Sequence, residues 1–176
     1  NMQTDFGYSE DKQVQVVHLP YKGDHLSMLV VLPKSKNKAA MQQLVHDLSA
    51  DKIKEWNKDL VTQEVNISLP KFKLAERYDM KVLLSDMGMP SAFKDKATFK
   101  LFDEPLAIKV DDVYHQAVVI VDEKGTEAAA ATAIVATEAS APIDQPVEFT
   151  ADHPFMFIIK DNKTDAILFL GQVNKP

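Results

Sequence analysis

Histidines, serines and carboxylates are the groups in this chain that could do chemistry, and their spacing limits what that chemistry is. The five histidines, His18, His25, His46, His115 and His153, include no i, i+4 pair that a helix would turn into a metal-binding face. No metal site is expected from them. A Gly-x-Ser-x-Gly elbow, which would expose a nucleophilic serine, is absent, and the five glycines form no phosphate-binding loop. The chain has no cysteine, so thiol catalysis and disulfides are excluded, and the redox compartment is left open. No cofactor is called for, and the chain is not expected to be an enzyme.

A different property is offered by Gly125-Thr126-Glu127 and the run Ala128, Ala129, Ala130, Ala131, Thr132, Ala133. Alanine favours helix. Yet no apolar stripe at helical spacing runs between Glu123 and Glu138, and Val118 to Val121 upstream reads as buried strand. The run therefore continues a strand out of a sheet. From Thr126 to Ala133 there is no Pro, no Gly and no charge except Glu127. Side chains this small could enter a sheet between two other strands without clashing. A polar, Pro-containing stretch, Thr137 to Pro146, leads out. Residues 123–146 carry no clear period, and connections of that length inside a compact domain are usually functional or disordered.

The elements that position this segment are legible on either side. Gln13 to Leu19 reads as a strand, Lys22-Gly23-Asp24 as a turn, and Leu26 to Leu32 as a buried strand closed by Pro33, together a hairpin. Met41, Leu44, Val45 and Leu48 predict a helix over residues 38–47. Ser49 caps the next one, whose apolar face is Ile53, Trp56 and Leu60. Val65, Ile67 and Leu69 alternate as a strand that Pro70 interrupts, with Lys71 to Leu74 as a continuation. Met80, Leu83, Leu84 and Met87 predict a short helix ended by Gly88. Asp112 to Asp122 reads as a long strand. Val147 to Ala151, Pro154 to Lys160 and Ala166 to Val173 read as final strands, with a turn at residues 161–165.

The totals agree with one folded unit. The 176 residues are 45% hydrophobic and 26% charged, enough for a sizeable core. A net charge of −6 without a Lys/Arg cluster argues against nucleic acid as a partner. No apolar run approaches the ~20 residues of a membrane helix, so no membrane partner is expected. Residue 1 is Asn and no signal peptide follows, so the chain is expected to start inside a longer product.

Asp122-Glu123-Lys124-Gly125-Thr126-Glu127 and the Ala run after it resemble the proximal hinge of a serpin reactive-centre loop. Independently, Phe149-Thr150-Ala151-Asp152-His153-Pro154-Phe155-Met156-Phe157-Ile158-Ile159 resembles the serpin C-terminal signature at every defined position. Ile167 to Asn174 resembles the family's last strand, and Leu19-Pro20-Tyr21-Lys22-Gly23 and Leu69-Pro70-Lys71-Phe72 fit as well. The resemblance runs through the whole chain, in order. It implies an α+β serpin fold with mixed sheets, a few short helices and a long exposed loop. Residues 1–176 would be the C-terminal part of a single serpin domain, with residues 124–146 as the reactive-centre loop.

It also implies a function: inhibition of a serine protease, or of a cysteine protease, by loop cleavage and insertion of the loop into the large sheet. The alternative is a non-inhibitory serpin acting as carrier or chaperone. Such members often have bulky or charged residues in the hinge; the hinge implied here is Glu123, Gly125, Thr126, Glu127, Ala128, Ala129, Ala130 and Ala131, small and uncharged from Ala128 on. The family's spacing from Gly125 places the reactive bond at Ala139 and Ser140, which suits an elastase-like or subtilisin-like enzyme, with Thr137 and Glu138 as alternatives. His115 matches a histidine that bonds across the sheet where it parts for the loop, and Lys71 with Glu123 matches a salt bridge at the top of that sheet. The implied partners are the target protease and the N-terminal half of the same serpin, in an extracellular or periplasmic setting. Asn66-Ile67-Ser68 and Asn162-Lys163-Thr164 match the glycosylation sequon, a motif common by chance.

Overall fold

Runs with a period of two become strands here, and runs with a period near 3.6 become helices. The computed structural model describes residues 2–95, 97, 109–122 and 145–176. Among these are strands β1 (Met2–Glu10), β2 (Val14–Pro20) and β3 (Leu26–Pro33), then helices α1 (Lys38–Asp47) and α2 (Ala50–Lys58). Strands β4 (Val61–Ser68) and β5 (Phe72–Asp79), helix α3 (Lys81–Asp86) and strand β6 (Tyr114–Val121) follow. Strands β7 (Val147–Thr150), β8 (Phe155–Asp161) and β9 (Ile167–Val173) complete the order. This is an α+β fold. It divides into two compact units, Asn1–Lys71 with Asp122–Pro176, and Phe72–Val121.

The first unit is a seven-stranded sheet in the order β7-β4-β1-β2-β3-β8-β9. Every neighbouring pair is antiparallel except β4 with β7. The expected hairpin is β2–β3, turning at Gly23 (φ 90°) and Asp24 (φ 56°), where a left-handed backbone makes glycine useful. Alternate residues Val14 and Val16, Leu29 and Val31, and Met156 and Ile158 present one face. On it sit Met41 and Leu44 of α1 and Ile53 and Trp56 of α2. Burying each such side chain contributes roughly 1.5–3 kcal/mol, which makes this face the main support for two helices too short to hold alone.

Both helices start at capped ends. Asn37 accepts from the Ala40 N–H at 2.8 Å, and Ser49, as expected, accepts from the Lys52 N–H at 3.1 Å. The first strand, β1, was not anticipated. Met2–Glu10 alternates poorly, and it is a strand because its backbone pairs with β2 on one side and β4 on the other. Gly7 lies opposite His18, whose Cβ is 3.1 Å from where a glycine Cβ would stand, so the cross-strand histidine fills that space.

The second unit corrects one expectation. The segment after Pro70 does not continue the strand before it: β5 pairs antiparallel with β6 in a separate two-stranded sheet. The strand expected from Asp112 starts at Tyr114. Helix α3 forms where predicted, and Gly88 follows it at φ 105°. Its apolar side chains are not buried, however, with Val82 69% and Leu83 50% exposed.

Within the first unit, the start of β8 is latched to the end of β3. The buried His153 donates from Nε2 to the Pro33 carbonyl at 2.6 Å, and its Nδ1 lies 2.8 Å from Asp152 Oδ1. Lys36 Nζ reaches the same carboxylate at 2.5 Å. These contacts hold the Asp152 carboxyl down at about 2, the His153 hydrogen bond first and Lys36 next. A carboxyl whose folded pKa lies below its unfolded value contributes stability above the unfolded value and loses it as pH falls through the folded one. The melting-temperature difference between the parent and Asp152→Asn should therefore be largest above about pH 4 and shrink towards pH 2. Thermal melts across that window check it; a difference independent of pH would show that the latch is not electrostatic.

Candidate functional site

The alanine-rich segment lies in sequence between two strands. Strand β6 hands the chain on at Val121 and Asp122, and β7 takes it up at Val147. The candidate hinge residues Glu123, Gly125, Thr126, Glu127, Ala128, Ala129, Ala130 and Ala131 lie outside the described residues. So do the candidate reactive-bond residues Ala139 and Ser140 and the alternatives Thr137 and Glu138. Of the expected loop 124–146, only Gln145 and Pro146 are described. On either side of it the described chain holds a strand, β6 before and β7 after.

The downstream anchor is tightly held. Strand β7 runs parallel to β4, with Val65 opposite Val147 and Ile67 opposite Phe149, and Phe149 is fully buried. Asn66 Nδ2 donates to both carboxylate oxygens of Glu148, at 3.0 and 3.1 Å. Gln15 Nε2 donates to the Glu148 carbonyl at 3.1 Å and to the Tyr8 hydroxyl at 2.9 Å. Tyr8 in turn donates to Glu10, which Lys34 pairs at 2.8 Å. Burial pushes the Tyr8 hydroxyl up to about 12, and the Lys34 hydrogen bond lowers Glu10. A chain of polar contacts thus ties β7 to three strands that precede the loop in sequence. The periodicity of the sequence carried no signal for Gln15, Asn66 or Glu148 as anchors, because polar residues on strands read as solvent-facing.

The upstream anchor is β6, which pairs with β5 alone among the described residues. His115 lies opposite Tyr78, their rings stacked with centroids 6.3 Å apart. Next to them the Arg77 guanidinium sits 4.4 Å from the Tyr114 ring centroid. Lys71 is exposed, one residue before β5. Its expected pairing with Glu123 falls outside the described residues.

Other candidates resolve into structural roles. Burial lowers His18, the largest of its causes, and His153 is the latch described above. Among the described residues, no group of three or more His, Asp or Glu is placed to hold a metal, and no helix is long and apolar enough to cross a membrane. Both sequon asparagines are occupied. Asn66 is spent on Glu148, and Asn162 donates to the Asp24 carbonyl at 2.9 Å and accepts from Ser27 at 2.6 Å.

Comparison with known proteins places this arrangement. The family model described as Serpin (serine protease inhibitor) matches residues 1–176. Serpin B4 of Homo sapiens is 42% identical over 173 residues, covering 97% of this chain and 44% of that protein. The leukocyte elastase inhibitor of Sus scrofa is 38% identical over 175 residues, covering 97% and 46%. Among solved structures, uncleaved ovalbumin superimposes with a TM-score of 0.84 at 27% identity, covering 99% of this chain and 46% of that one. A tumour-suppressing serpin superimposes with a TM-score of 0.82 at 25% identity, covering 100% and 46%. The chain spans about half the length of the curated relatives it matches. A family match along its whole length, together with two anchors framing an alanine-rich loop, shows that this chain belongs to the serpin family.

Proposed function

We propose that the protein to which this chain belongs inhibits a serine protease by offering residues 124–146 as a substrate and then inserting the cut loop beside β6. The observation that carries this reading is the edge of β6. Its partner is β5 on one side, and no described strand pairs with the other. The residues that leave β6 can fold back along that edge as an antiparallel strand. The small, uncharged positions from Ala128 to Ala133 suit a strand that must enter between two others. Loop insertion is itself a standard instance of strand addition and of stored strain released by proteolysis.

In chemical terms, the protease serine attacks the carbonyl carbon of Ala139, the peptide bond to Ser140 breaks, and Ser140 leaves with a free amino group. The ester to Ala139 survives only if insertion outruns water. Strands β7, β8 and β9 stay bound after the cut, because β7 pairs with β4, β8 with β3, and β9 with β8. A small residue before the bond suits an elastase-like or subtilisin-like pocket, and a cysteine protease could be trapped as the analogous thioester. An extracellular or periplasmic setting goes with this reading, and a chain without cysteine is compatible with it.

The hinge is tested by Thr126→Arg in the full-length inhibitor. A long cation at the first inserting position must be buried unpaired or hold the loop out, so insertion slows and hydrolysis wins. Cleaved protein should replace most of the SDS-stable complex; an undiminished yield of complex would rule insertion out.

The reactive bond is tested by denaturing the elastase-treated protein and weighing the C-terminal piece. A fragment starting at Ser140 is expected. A start at Ala139 would move the bond to Glu138, and a start before Thr132 would discard both.

The isolated chain should trap no protease, since the second wall of the insertion site would come from the N-terminal half. Its exposed Val118 and Ile120 on β6 should also make it self-associate. Light scattering and complex formation, with and without the N-terminal half, check this. A monodisperse 176-residue monomer that traps a protease would overturn it.

A further inference from the structure

Helices α1 and α2 cover one face of the sheet but leave a space at its end. Between the β1–β2 turn, the end of β3 and the two helices is a pocket of about 360 Å³. Its apolar walls are Val14, Pro33, Ala40, Leu44 and Trp56. That size falls in the range of small-molecule sites. One wall residue is anomalous: Trp56 is 4% exposed, and its indole N–H is buried with no hydrogen-bond partner among the described residues. Leaving such a donor unmade costs about 1–3 kcal/mol, so its presence calls for an explanation.

The charged groups on the rim say which ligand would fit. Both lining carboxylates are spent. Asp11 accepts from the Gln13 and Val14 N–H groups at 2.7 and 2.9 Å and pairs with Lys52 at 3.2 Å. Asp47 accepts from Gln43 at 2.8 Å and meets His46 at 3.0 Å. Two of the three lining cations are spent as well, Lys52 on Asp11 and Glu55, and Lys34 on Glu10. Lys12 makes no ion pair among the described residues. Donors are in surplus around an apolar floor.

We propose that this pocket binds a small amphipathic carboxylate, with its apolar body against Val14, Leu44 and Trp56 and its carboxylate on Lys12. The proposal does not depend on protease inhibition, although one lining cation, Lys34, also pairs Glu10 at the end of the polar chain that reaches β7.

Trp56 is the chain's one tryptophan, so its emission reports the pocket directly. The full-length protein, with any tryptophan outside residues 1–176 replaced by phenylalanine, is titrated with decanoate, with decanol and decylamine for comparison. A saturable change in emission is expected with decanoate at lower concentration than with either of the others. Lys12→Glu, on an exposed side chain, should weaken decanoate about tenfold, from losing one ion pair and gaining a like-charge contact, and should leave decanol unchanged. Ala40→Phe should fill the pocket and abolish the response. If decanoate and decanol act alike in the parent, or Lys12→Glu binds decanoate as the parent does, the proposal fails. Binding to exposed apolar strands such as β9 would then account for the signal. Should Ala40→Phe fail to fold by circular dichroism, the Lys12→Glu comparison still decides the outcome.

Discussion

The pairing of β3 with β8 is the constraint around which the larger unit is organised. It places Val30 opposite Phe157 and Leu29 opposite Ile158, so residues far apart in sequence become one continuous apolar layer. Both strands are buried along nearly all their length, and burial on two faces is what turns them from alternating into continuous apolar runs. The next strand depends on the same pairing. A Cβ on Gly171 would stand 2.6 Å from Phe157 Cζ, so β9 can lie against that ring only because residue 171 has no side chain. The His153 latch then fixes where β8 begins.

This arrangement has a consequence for function. The chain that follows the proposed reactive loop forms strands of the larger sheet, β8 among its buried core. A cut in the loop would therefore change connectivity without removing any element of that sheet. The polar chain from Glu148 through Gln15 and Tyr8 to Glu10 holds β7 in register against the strands that precede it. An exposed strand edge is ordinarily a liability, an invitation to pair with another chain. Among the described residues β6 pairs with β5 alone, and its Val118 and Ile120 are exposed; the proposed insertion would use that edge.

Much of this was legible in the sequence, because the signals involved are local. The hydrophobic period gave α1 and α2, Ser49 gave a cap, and Gly23 with Asp24 gave the turn of the β2–β3 hairpin. Two motifs in order, the alanine-rich hinge and the segment Phe149 to Ile159, were enough to identify the family. Each of these rests on residues within a few positions of one another, where backbone geometry alone dictates spacing.

What the tertiary structure decided is everything that needs a distant partner. Strand β1 exists because β2 and β4 pair with its backbone, and its side chains carry little trace of that. Pro70 was readable as an interruption, but not that β5 would leave the sheet and join β6. Asn66, Gln15 and Glu148 looked like solvent-facing polar residues until the fold brought them within hydrogen-bond distance. The indole of Trp56 and the Lys12 ammonium, without partners among the described residues, acquire meaning only when two helices, the β1–β2 turn and the end of β3 enclose a space. Sequence fixes periodicity and backbone preference, which act over a turn of helix or a pair of strand residues. Hydrogen-bond partners and cavities are properties of chain segments that meet only after folding.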